Sequence, residues 1–134
     1  MILIVDDHPD LGRGIIILLR EAGYEAALAA SGEEALALIP TLPPRLVLVD
    51  QNMPGMKGIN VLRHLRGHPQ PGLRDTPVIM HSAGVDAASE EEARRIGVSA
   101  YLLKGGDEWD DLLSLVERHA AEPVAPDVRH AGRV

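Results

Sequence analysis

Short aliphatic runs alternate with stretches of helical periodicity along this chain, and no other feature constrains its fold as much. Ile2-Leu3-Ile4-Val5, Leu46-Val47-Leu48-Val49 and Val78-Ile79-Met80 are apolar without interruption, the pattern of strands buried on both faces. Residues 24–29 and 100–103 read as two further strands. Between the first two runs, Pro9 can open a helix and Gly23 can close it, with Leu11, Ile15, Leu18, Leu19 and Ala22 at helical spacing. Ser31-Gly-Glu-Glu34 is a capping box for a helix carrying Ala35, Leu36, Leu38 and Ile39, which Pro40, Pro43 and Pro44 terminate. A loop with Pro54, Gly55 and Gly58 leads to a short helix through Val61, Leu62 and Leu65, and residues 67–76 read as a Gly/Pro-rich loop. Ser89 with Glu92 predicts the cap of the next helix, whose last turn holds Arg94 and Arg95 and which Gly97 stops. The last helix is expected from about 107 to 121, with Leu112, Leu113, Val116 and Ala120 inward.

Five strands in strict alternation with helices predict an α/β fold, a five-stranded parallel sheet covered on both faces. At 134 residues there is room for one such core. It is expected over 1–121, followed by a flexible tail or linker start over 122–134. A net charge of −7 argues against nucleic-acid contact by this segment. The absence of cysteine excludes disulfides and thiolate metal sites. No apolar run approaches the ~20 residues of a membrane span, and Met1 runs straight into Ile-Leu-Ile-Val with no basic leader. The expectation is a cytoplasmic protein with no membrane contact.

In open parallel sheets ligands sit beyond the C-terminal strand ends, where strand order reverses. The residues standing there are Asp6 and Asp7 after the first strand, Asp50 after the third, Ser82 at the fourth and Lys104 at the fifth. Taken singly, each has an ordinary explanation: an Asp pair caps a helix, Asp50 sits in a turn, a serine is structural, a lysine faces solvent. Together they fall on one edge. Three converging carboxylates repel one another unless a cation joins them, and an all-oxygen set favours Mg²⁺. A hydroxyl and an ammonium beside the ion can hold the other oxygens of a phosphoryl group.

These blocks resemble the receiver domains of two-component response regulators. The resemblance spans about residues 1–121. It rests on Ile-Leu-Ile-Val-Asp-Asp at 2–7, Leu-Val-Leu-Val-Asp-Gln-Asn-Met-Pro-Gly-Met-Lys-Gly at 46–58, Pro-Val-Ile-Met-His-Ser-Ala at 77–83 and Gly-Val-Ser-Ala-Tyr-Leu-Leu-Lys at 97–104. It implies a flavodoxin-like doubly wound (βα)5 fold with strand order 2-1-3-4-5. By the same resemblance Asp50 is the phosphoacceptor, Asp7 a direct Mg²⁺ ligand, Asp6 a ligand through water, and Asn52 a ligand through its backbone carbonyl. Ser82 and Tyr101 match the switch pair, Ala83 the small residue that leaves room for the phosphoryl group, and Lys104 the family's lysine. Implied partners are a histidine kinase or histidine phosphotransfer protein, an output protein or domain, and a second copy on phosphorylation. The chain departs from the family at Gly105-Gly106, where a cis proline usually follows the lysine, and in the length of the 67–76 loop.

Three other readings compete for the same residues. A haloacid-dehalogenase-like phosphatase needs a second Asp two residues after the nucleophile, where Asn52 stands. A cobalamin module needs Asp-x-His-x-x-Gly; Asp6-Asp7-His8 begins it, but Leu11 occupies the glycine position. A degenerate receiver would act as an interaction module without phosphorylation. The expectation is therefore a signalling phosphoacceptor rather than a turnover enzyme.

Overall fold

The strand order follows from which runs are buried on both faces. The runs at β1 (Ile2–Val5) and β3 (Leu46–Asp50) are buried at every residue and lie in the interior of the sheet, flanked by β2 (Ala26–Ala29) and β4 (Val78–Ser82), with β5 (Ala100–Leu103) at the far edge. The order is β2-β1-β3-β4-β5, all parallel, as expected. The computed structural model describes residues 1–84, 87–104 and 108–120. Among them the helices are α1 (Pro9–Glu21), α2 (Gly32–Leu38), α3 (Gly58–Arg66), α4 (Pro71–Arg74), α5 (Ala87–Ile96) and α6 (Glu108–Ala120). None is long and apolar enough to cross a membrane. Gly105-Gly106 and the tail lie outside the described residues, so neither expectation about them meets a structure.

Alternate residues of each strand feed two separate cores. Leu3, Val5, Val47, Val49, Val78 and Met80 pack with Val61, Leu62 and Leu65 of α3 and Ala93 of α5. On the opposite face Ile2, Ile4, Leu46, Leu48, Ile79 and Leu102 pack with Ile15 and Leu19 of α1 and Leu112 and Val116 of α6. Each fully buried aliphatic side chain stabilises the fold by roughly 1.5–3 kcal/mol relative to exposure.

The helix ends follow local chemistry, with four departures from expectation. Pro9 starts α1, and Gly23 takes the left-handed φ of 97° beyond its end; Ala22, expected inward, is exposed there. In the capping box Ser31 Oγ accepts from the Glu34 N–H at 3.1 Å, while Glu34 Oε2 reaches back to the Ala30 N–H at 3.3 Å, one residue earlier than the usual reciprocal bond. Ser89 is not the N-cap of α5 but lies within it, two residues after Ala87. The 67–76 loop contains the single turn of α4, opened by Pro71 and anchored by buried Leu73.

Arg66, at the end of α3, ties these elements together. It donates from Nε to Gly97 O (3.0 Å) and from Nη1 to Arg74 O (2.8 Å) and Thr76 O (2.7 Å). Burial lowers its pKa, and nearby Asp75 opposes that effect. A planar fork of donors is suited to satisfying carbonyls from two chain segments at once. The α5 helix packs through buried Ala93 and carries an Arg63–Glu92 ion pair to α3.

Candidate functional site

Register brings the charged residues to one level. Val5 pairs with Val49 and Asp50 with His81, so Asp6, one residue beyond β1, stands beside Asp50. Both carboxylates are almost sealed, with 2% of each residue exposed. Asp50 Oδ2 accepts from Lys104 Nζ at 3.2 Å, and its Oδ1 accepts from the Asn52 N–H at 3.1 Å. Asp7 keeps 24% of its side chain exposed, yet its Oδ1 is buried and has no hydrogen bond among the described residues. An orphaned, solvent-shielded carboxylate oxygen costs free energy unless a cation completes it.

The neighbouring loop is shaped by two residues. Gly58 begins α3 so close to the end of β3 that a Cβ there would lie 2.6 Å from Asp50 O and 3.0 Å from Gln51 Cα. Gln51, buried, accepts from the Ile59 N–H at 2.8 Å through Oε1. It thereby caps a helix whose own N-cap, Lys57, makes no side-chain cap. Gly55 takes a left-handed φ of 76° in the turn between them, and Met53 is buried in the core on the α3 side of the sheet. The Met-Pro-Gly-x-x-Gly spacing is thus what allows α3 to press against the strand end that presents Asp50.

At the other side Ser82 is buried and donates from Oγ to Gly84 O at 3.1 Å, while its backbone O accepts from the Lys104 N–H at 2.8 Å. That bond sets the lysine from which Nζ reaches Asp50. Ala83 is exposed and lines a groove with His8, Pro9, Asp10, Leu11 and Lys104. Tyr101 pairs with Met80 in the sheet; its hydroxyl is buried with no hydrogen-bond partner among the described residues. Asn52 is exposed, and the contact it makes to Asp50 is through its N–H.

His8, which sequence reasoning used only to reject a cobalamin motif, belongs to this cluster. It is the N-cap of α1, and its N–H donates to Asp6 Oδ1 at 2.8 Å. Its Nδ1 lies 3.2 Å from Asp6 Oδ1, 3.2 Å from Asp7 Oδ1 and 3.9 Å from Asp50 Oδ2. One donor atom from each of Asp6, Asp7, His8 and Asp50 falls within 4.8 Å of all the others, so the group could hold a metal ion. The available signal was the unbroken Asp-Asp-His run at a strand end. Gln51 was also missed, because its partner lies eight residues ahead and only the fold brings them together.

Residues 2–117 match the family model of the response regulator receiver domain. The chain is 36% identical over 103 residues to the DNA-binding response regulator MtrA of Mycolicibacterium smegmatis, covering 77% of this chain and 43% of that protein. It is 34% identical over 130 residues to the regulatory protein AtoC of Escherichia coli, covering 96% and 27%. The chain thus spans less than half the length of these curated relatives. Among solved structures it superposes on chemotaxis protein CheY4 of Vibrio cholerae with a TM-score of 0.80 at 29% identity, over 88% of this chain and 96% of that one. The receiver domain of Francisella response regulator 1452 also gives 0.80 at 29%, over 92% and 98%.

Proposed function

We propose, because this chain belongs to the response regulator receiver domain family, that it accepts a phosphoryl group on Asp50 and transmits the event as a change of shape. The observation that carries the proposal is the state of the Asp50 carboxylate. It is buried to 2% exposure, with Oδ1 fixed by a backbone N–H and Oδ2 paired to Lys104. An Asp50 oxygen bonds to phosphorus as the P–N bond of a phosphohistidine donor breaks. The electron pair returns to the donor ring, which leaves as neutral imidazole when its second nitrogen is already protonated. A Mg²⁺ ion held by Asp7 and Asp50, with Asp6 through water and the Asn52 carbonyl completing the set, would neutralise charge on the phosphoryl oxygens.

The other residues act through position. Lys104 exchanges the Asp50 oxygen for a phosphoryl oxygen, which its flexible stem allows. Ser82 Oγ gives up Gly84 O for the phosphoryl group, and the small Ala83 leaves room for it. Tyr101 has a buried hydroxyl with no hydrogen-bond partner among the described residues and so gains by relocating when Ser82 moves. Water later cleaves the acyl phosphate and restores the carboxylate. The donor is a histidine kinase or phosphotransfer protein, the reader is an output protein or domain, and the setting is cytoplasmic. A phosphorylation-independent interaction module is the alternative; the intact carboxylates, Ser82 and Lys104 favour the phosphoacceptor.

The test is incubation with Mg²⁺ and a small acyl-phosphate donor, followed by intact mass. One phosphoryl group is expected, absent with EDTA and absent in Asp50→Asn. Labelling that survives Asp50→Asn would overturn the assignment.

A further inference from the structure

The carboxylate cluster carries a donor that an oxygen-only Mg²⁺ site lacks. Ligand atoms bound to one ion at about 2.0–2.2 Å lie roughly 3–3.5 Å apart. His8 Nδ1 hydrogen-bonds Asp6 Oδ1 at 3.2 Å and stands 3.2 Å from Asp7 Oδ1, distances that an ion replacing the proton between them would also fit. Its backbone is fixed by the N–H bond to Asp6 and by the start of α1, so the residue stands on the same turn as the two carboxylates. The side chain is 63% exposed, leaving the outer side of the site open to water. Imidazole suits Zn²⁺ and Ni²⁺, whereas Mg²⁺ takes oxygen and keeps its water. We infer that His8 is a nitrogen ligand and a determinant of ion choice at this site, which also takes Zn²⁺ and Ni²⁺ through Asp7 and His8.

This inference rests on the reading of Asp6, Asp7 and Asp50 as a metal site, and its test separates the two. Dissociation constants for Mg²⁺ and Zn²⁺ are measured by calorimetric titration on the wild type, His8→Asn and Asp7→Asn, above the usual imidazole pKa range. His8→Asn is expected to weaken Zn²⁺ on the order of tenfold or more while changing Mg²⁺ less than about twofold; Asp7→Asn is expected to weaken both ions. In ¹⁵N-histidine-labelled protein, Zn²⁺ should move the His8 Nδ1 resonance and Mg²⁺ should leave it in place. Equal loss of both ions in His8→Asn, loss of neither, or an unmoved His8 resonance with Zn²⁺ bound overturns the inference. Zn²⁺ binding through His8 and Asp7 without any Mg²⁺ binding would sustain it and count against the Mg²⁺ reading instead.

Discussion

At the residue scale the site is a problem of room as much as of charge. A Cβ on Gly58 would sit 2.6 Å from the carbonyl oxygen of Asp50, a backbone atom that cannot rotate away. Gly58→Ala should therefore destabilise the fold by about 1–3 kcal/mol and disturb Asp50 itself; a urea titration reads the first effect and phosphorylation rate the second. Gly14, in the interior of α1 with no described atom within 4 Å of a Cβ, is the control. Gly14→Ala should stabilise by roughly 0.4–1 kcal/mol. An unchanged midpoint in Gly58→Ala would show that β3 and α3 can separate at no cost. The convergence of Asp6, Asp7, Asp50 and Lys104 was legible in the sequence because each stands at or within two residues of a strand end, and parallel strands end together. The places of His8 and Gln51 were not, since each depends on a side chain meeting a group that only the completed turn brings near.

At the element scale, helix starts decide how firmly the edge is built. Gln51 reaches from the end of β3 to the Ile59 N–H at 2.8 Å, and its backbone O accepts from the Gly58 N–H at 3.3 Å, so the residue after the strand stands in for a local cap. Gln51→Met keeps the bulk and leaves that donor buried and unpaired, at a cost of about 1–3 kcal/mol. The loss should appear in chemical denaturation, and amide exchange should quicken first at the start of α3. Uniform exchange along α3 would argue that water takes over the cap. All five strands and the longer helices were readable from apolar runs and spacing. The α5 start was misread because Ser89-x-x-Glu92 has the form of a capping box, although the helix begins at Ala87. The α4 turn was missed because one buried residue, Leu73, makes no periodicity.

At the scale of the whole molecule, the crowded carboxylates link ion binding to stability. An ion that binds only the folded chain, present at about ten times its Kd, adds roughly 1.4 kcal/mol, which for a domain of this size raises Tm on the order of 5 °C. Mg²⁺ should produce such a rise at low ionic strength, and Asp7→Asn should remove most of it; calorimetry with and without EDTA measures both. A flat Tm against Mg²⁺ would argue against an ion at this edge.

The division of the interior into two cores has a consequence for how damage spreads. Ile39 is packed on one side of the sheet and Ile15 on the other. Ile39→Val and Ile15→Val should each cost about 0.5–1.5 kcal/mol, and the double variant should equal their sum within roughly 0.3–0.5 kcal/mol. Neither helical layer hears of a flaw in the other. Strand alternation carries Asp6, Asp50 and Lys104 on the parity of the α1–α6 side and Ser82 and Tyr101 on the parity of the α3–α5 side. Only along the strand ends do the two layers have a common border, so a group attached there addresses both at once.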